Sequence, residues 1–140
     1  MLAPNDLTAP TGKEVAMARI LVVDDRLDVA RAIARMLPDH DTATETDPRR
    51  AVARVEDGER FDIVLCDLNM PEMNGREVSD ALVHAHVPPP IVLMMSGGEN
   101  VDSLFATGRG VLIKPFDGKE LRDLVAAMLH ETAQRPHHHA

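Results

Sequence analysis

The chain has no tryptophan, no tyrosine and only three phenylalanines, so any core it builds is aliphatic. It has one cysteine, Cys66. That excludes an intramolecular disulfide and fits a reducing compartment. Within an apolar run, Cys66 reads as a small buried apolar residue. Basic residues are scarce: 15 stand against 23 acids, for a net charge of −8. That balance argues against a dedicated nucleic-acid binder, which usually presents a basic face. No run approaches the roughly 20 apolar residues of a membrane span. The N-terminus lacks the charged-then-apolar layout of a signal peptide. The expectation is a cytoplasmic protein without nucleic-acid or membrane partners. A length of 140 residues, 44% of them hydrophobic, suits one domain with a real core.

What is present centres on the stretch Phe61 to Pro71. Ile63 to Cys66 is short, apolar and partly β-branched, the pattern of a buried strand. It ends abruptly at Asp67, and in an open parallel α/β sheet the carboxyl ends of strands are where sites are built.

The rest of the chain repeats that plan. Residues 1–17, with Pro4, Pro10 and Gly12, read as a flexible arm or linker. Ile20 to Val23 is a first apolar strand stopping at Asp24-Asp25, followed by a helix carrying Leu27, Ala30, Ile33, Ala34 and Leu37. Residues 41–46 form a weak polar strand suited to a sheet edge. Asp47-Pro48 is an N-cap with proline at the first helical position. Asn74 with Glu77, and Asp117 with Glu120, have capping-box spacing. Ile91 to Met95 and Val111 to Ile113 are further strands, closing at Ser96 and Lys114. The final helix puts Leu121, Leu124, Val125, Met128 and Leu129 on one face. Alternating strands and helices predict a parallel sheet covered on both faces, a doubly wound α/β domain over residues 18–131, with 132–140 as a disordered tail.

Four strand ends then carry chemistry: Asp24 and Asp25, Asp67, Ser96, and Lys114. Three carboxylates together repel one another without a cation, and hard oxygen ligands suit Mg²⁺. A carboxylate can act as a nucleophile and form an acyl phosphate. Phosphoryl transfer needs positioning and charge stabilisation above all, for which Lys114 offers a cation and Ser96 a hydroxyl. Taken singly each residue has a plainer reading. Paired acids cap helices at strand-to-helix turns, and a serine does the same. Met70, Met73, Met94 and Met95 read as packing residues. His84 and His86 read as solvated helix-end residues, and His137 to His139 as tail.

The joint pattern resembles a receiver (CheY-like) domain of two-component response regulators. It is carried by Asp24-Asp25, Asp67 with Asn69-Met70-Pro71 and Gly75, Ser96, and Lys114-Pro115-Phe116. The likeness runs from about Ala18 to Leu129. It implies five parallel strands in the order 2-1-3-4-5 and a phosphoacceptor, Asp67, serviced by a histidine kinase or histidine phosphotransferase. It implies Mg²⁺ (or Mn²⁺) held by Asp25, Asp67 and the Asn69 backbone carbonyl, with Asp24 acting mainly through water. Lys114 would contact the phosphoryl group, Ser96 would hydrogen-bond it, and the Lys114–Pro115 bond would be cis. The output would be altered protein binding, through a separate partner or attached kinase domains, by a monomer or weak dimer. No substrate turnover is expected.

The sequence departs from that family in three places. Val111 stands where many receivers carry an aromatic, which puts the usual coupled switch in doubt. Only 18 positions separate Ser96 from Lys114, so the fourth helix is expected to be short, irregular or absent. Gly97 and Gly98 predict an unusually open phosphate site. A competing reading is a phosphorylation-independent interaction module. A third, an aspartyl-phosphate phosphatase, is disfavoured because Asn69 cannot protonate a leaving group.

Overall fold

The computed structural model describes residues 17–85, 88–97 and 110–134. The expectations for the arm over residues 1–16, Gly98, the fourth helix, His86 and the histidines of the tail lie outside the described residues.

Five strands and four helices are present among the described residues. They are β1 (Arg19–Val23), α1 (Leu27–Arg35), β2 (Asp41–Glu45), α2 (Pro48–Glu56), β3 (Ile63–Asp67), α3 (Gly75–Ala85), β4 (Ile91–Ser96), β5 (Gly110–Ile113) and α4 (Gly118–Gln134). The strands form one parallel sheet in the order β2-β1-β3-β4-β5. The order runs outward from β1 in one direction and then from β3 in the other, so the chain reverses its winding between β1 and β3. A crevice opens outside the carboxyl ends of strands at such a reversal.

Burial follows from this topology. β3 is buried along its whole length and β1 from Ile20 onward, because both have neighbours on each side and helices on each face. Alternate residues feed two cores. Leu21, Val23, Val64, Cys66, Val92 and Met94 meet α2 and α3 on one face. Ile20, Val22, Ile63, Leu65, Leu93 and Met95 meet α1 and α4 on the other. The edge strand β2 is polar and nowhere fully buried, as expected of an edge.

Local signals set the helix starts. Asp47 accepts a hydrogen bond from the Arg49 amide, with Pro48 at the first helical position. Asn74 and Glu77 form a reciprocal capping box, with bonds of 2.9 and 3.0 Å. Asp117 and Glu120 form a second. α1 ends one residue before Met36, yet Leu37 beyond it is still buried at 1% exposure. α4 continues to Gln134, three residues into the stretch expected to be tail. Each residue of that extension adds a backbone hydrogen bond without a new nucleation cost.

The amino end of the sheet is held by a charged cluster. Arg19 Nη2 and Arg54 Nη2 both donate to Glu59 Oε2 at 2.8 Å, and Arg54 Nε donates to Glu59 Oε1 at 2.9 Å. Both guanidinium groups lie over the Phe61 ring, 4.6 and 5.4 Å from its centre. The Arg19 amide donates to Asp62 at 2.8 Å. The Glu59 carboxyl is held down to about 2, chiefly by its hydrogen bonds to Arg54 and then to Arg19. This tie joins β1, α2 and the segment leading into β3.

Candidate functional site

The carboxyl ends of β1, β3, β4 and β5 deliver Asp24, Asp67, Ser96 and Lys114 to one edge, as the strand-end pattern predicts. Asp24 closes β1, and its amide donates to the Glu45 carbonyl of β2 at 3.1 Å. Its Oδ1 accepts from the Arg26 amide at 3.0 Å, which folds the chain back towards α1. The acid therefore shapes the turn as well as facing the site. α1 itself starts without a side-chain cap at Arg26.

Asp24 and Asp67 are buried, and Asp25 is exposed. A carboxylate oxygen from each of the three lies within 4.8 Å of the others. Lys114 Nζ stands 3.7 Å from Asp24 Oδ2 and 3.6 Å from Asp67 Oδ1, an ion pair to each. One ammonium thus pairs with two carboxylates of a cluster of three. Burial pushes the Asp24 carboxyl above its ordinary range, opposed by the Arg26 amide and reinforced by the charge of Asp67. Asp24 Oδ2 is buried without a hydrogen-bond partner. Excess negative charge, an all-oxygen donor set, and a buried oxygen with no donor fit a hard divalent cation that keeps some of its water. Asp24, Asp25 and Asp67 are the side chains that could hold it.

The loop after β3 is fastened on both sides. The Leu68 amide donates to Met95 O at 2.9 Å, and the Gly75 amide donates to Leu68 O at 2.8 Å. The Asn69 amide reaches Asp67 Oδ1 at 3.4 Å. Ser96, fully buried, ends β4 beside this loop, with Asp67 opposite Met95 in register. Its carbonyl accepts from the Lys114 amide at 2.7 Å. The Lys114–Pro115 peptide bond is cis.

Other expectations fall into place as packing. Cys66 is buried, and burial, followed by the charges of Asp67 and Asp24, pushes its thiol well above the ordinary range. Met70, Met94 and Met95 are buried and Met73 is half-buried, all within the cores. Val111 is half-buried against the core shared by α2 and α3. His84 Nδ1 lies 2.9 Å from the Asp80 carbonyl at an exposed position. Two features were not anticipated. One is the Arg26 amide on Asp24. The other is the tight seat of Gly75 on the loop, for which glycine at the first position of a helix is the sequence signal.

The family model for the response regulator receiver domain matches residues 20–126. The chain is 36% identical over 123 residues to the DNA-binding response regulator MtrA of Mycobacterium tuberculosis, covering 84% of this chain and 53% of that protein. It spans from 19% to 54% of the length of the curated relatives it matches first. Among solved structures, chemotaxis response regulator CheY4 of Vibrio cholerae is similar with a TM-score of 0.70 at 30% identity, covering 81% of this chain and all of that one, 100%. The receiver domain of sensor histidine kinase PA1611 from Pseudomonas aeruginosa PAO1, which holds a magnesium ion in its active-site cleft, has a TM-score of 0.71. It covers 82% of this chain and 99% of its own at 20% identity, a level that bears on the fold alone.

Proposed function

The chain belongs to the response regulator receiver domain family, and from that premise we propose that Asp67 accepts a phosphoryl group from the phosphohistidine of a histidine kinase or histidine phosphotransferase. The observation that carries this is the convergence of Asp24, Asp25, Asp67 and Lys114 at the winding reversal, with Lys114 Nζ 3.6 Å from Asp67 Oδ1. Receiver domains are signalling modules rather than substrate-turnover enzymes, and this one acts in that way.

An Asp67 carboxylate oxygen attacks phosphorus as the phosphorus–nitrogen bond of phosphohistidine breaks. The imidazole leaves and an acyl phosphate forms. A divalent cation, Mg²⁺ or Mn²⁺, held by Asp25, Asp67 and the Asn69 carbonyl, with Asp24 through water, would neutralise the acids and accept a phosphoryl oxygen as ligand. Lys114 partners the charge that develops on the transferred group. Ser96 turns its hydroxyl to another phosphoryl oxygen. Asn69 cannot protonate an alkoxide leaving group, so a phosphate ester is a poor donor and turnover as a phosphatase is disfavoured.

The readout is a changed protein-binding surface. The DNA-binding activity in the name of MtrA is a property of a longer protein, of which this chain covers 53%. No described helix is long and apolar enough to cross a membrane, and a cytoplasmic site of action suits a partner of kinase type. A second reading, binding that ignores phosphorylation, is favoured by Val111, which offers no aromatic ring to follow Ser96.

Incubation with Mg²⁺ and acetyl phosphate, followed by intact-protein mass, separates the two. One added phosphoryl group, absent in Asp67→Asn and in EDTA, is the expected result. No adduct from acetyl phosphate or from a phosphorylated kinase, with partner binding intact in Asp67→Asn, would leave the second reading standing.

A further inference from the structure

Gly75 opens α3, where an ordinary helix former would serve the helix better. Its φ lies outside the left-handed region, so conformational freedom does not account for glycine there. Contact does. A Cβ at this position would stand 2.8 Å from Leu68 Cα and 3.0 Å from the Asp67 carbonyl oxygen. Both are backbone atoms and cannot swing aside.

The same residue holds the loop by a hydrogen bond, from its amide to Leu68 O at 2.8 Å. The Leu68–Asn69 peptide is planar, and in the trans form its carbonyl and its N–H point in opposite directions. One edge of that plane is fixed by Gly75. The other edge, the Asn69 N–H, is directed at Asp67 Oδ1, 3.4 Å away.

We propose that Gly75 is a positioning residue for the phosphoacceptor: its bare backbone, seated against Asp67 and Leu68, sets the plane of the Leu68–Asn69 peptide. That plane aims the Asn69 amide at the Asp67 carboxylate and places the Asn69 carbonyl that follows. The inference rests on the reading of Asp67 and its cation given above. Helix propensity alone gives the opposite expectation, since alanine is the better helix former. The sign of the effect therefore discriminates between the two.

The test uses the full chain as wild type, Gly75→Ala and Gly58→Ala. Gly58 has φ of +102° and nothing within 4 Å of a built Cβ. Alanine there strains the backbone and destabilises the fold without touching the site. MgCl₂ is titrated calorimetrically into each protein, the Leu68 and Asn69 amides are followed by NMR, and adduct formation with acetyl phosphate is timed at saturating Mg²⁺.

Gly75→Ala is expected to weaken Mg²⁺ binding about tenfold, the scale seen when an outer-shell partner of a metal ligand is removed. It should shift the Asn69 amide before any metal is added and slow adduct formation. Gly58→Ala should lower the melting temperature and leave Mg²⁺ affinity as in the wild type. The proposal is overturned if Gly75→Ala binds Mg²⁺ like the wild type with an unshifted Asn69 amide. Equal loss in both glycine variants would also overturn it, since stability alone would then explain the effect. If Gly75→Ala is unfolded in plain buffer, all three proteins are titrated in trimethylamine N-oxide, which strengthens burial, and the same criteria apply. A wild type that takes up neither Mg²⁺ nor a phosphoryl group would remove the underlying reading, and this one with it.

Discussion

The two ends of the sheet handle charge in opposite ways. At the amino end, Glu59 lies between Arg19 and Arg54, three short hydrogen bonds tie it to them, and the guanidinium groups rest on Phe61. At the carboxyl end, three carboxylates cluster, two of them share Lys114 at ion-pair distance, and Asp24 Oδ2 is buried with no hydrogen-bond donor. One end is electrostatically satisfied and stabilises the fold. The other is underpaired in the protein alone, and the cation proposed above would supply the charge it lacks. The underpaired acids cost stability at one end, and the paired charges at the other end of the same sheet offset it.

The sharpest way to break this contrast is to supply the missing charge. Magnesium at about 100 times its dissociation constant should stabilise the wild type by about 2.7 kcal/mol. It should do far less for Asp67→Asn, as read by thermal melts with and without EDTA. An equal response in both would mean that the acids are not the binding site.

At the amino end, Glu59→Gln should destabilise by about 1 to 2 kcal/mol, because two guanidinium groups lose the carboxylate charge and one of its two acceptor oxygens in a partly exposed setting. The effect should depend on pH. The Glu59 carboxyl is held down to about 2, so its contribution is fully present above the ordinary glutamate range and disappears as pH falls through that range towards 2. Urea titrations from pH 6 to pH 2 should show wild type and variant converging at the acid end.

Asp24→Asn should move stability the other way, by about 1 kcal/mol upward in EDTA, on the scale of relieving one buried charge that lacks a full partner. Here the folded carboxyl lies above its ordinary range. Ionising it therefore costs stability as pH rises through that shifted value, and the penalty is fully present above it. The gain from Asn should appear at neutral pH and shrink in acid.

The smallest effect serves as a control for both ends. Ser79 is fully buried in α3, and its hydroxyl has no hydrogen-bond partner. Ser79→Ala should stabilise by about 0.5 kcal/mol, through helix propensity and loss of an unsatisfied group. It should leave Mg²⁺ affinity unchanged, and a changed affinity would blur the separation of site from scaffold.

The carboxyl end was legible in the sequence because each of its residues interrupts an apolar run with a chemical type the run does not need. Asp24, Asp67, Ser96 and Lys114 each mark a strand end, and the strand order brings them together. The amino end was not legible. Arg19 and Glu59 are 40 positions apart and read as ordinary surface charges until β1 and β3 pair. The role of the Gly75 backbone was also hidden, because a close approach between a helix start and a loop leaves no periodicity. The extension of α4 to Gln134 was missed because its last turns have no apolar stripe to announce them.

The stacking on Phe61 has a spectroscopic consequence. Protons above an aromatic ring are shielded by its circulating electrons, so the side-chain resonances of Arg19 and Arg54 should lie upfield of ordinary arginines. With no tryptophan or tyrosine and only three phenylalanines in the chain, few other rings compete for that signature. The pair is a built-in probe at the end of the sheet remote from Asp67. If those two resonances move when the acyl phosphate forms, the modification is sensed along the whole length of the strands. If they stay still, the signal is confined to the edge where it is made.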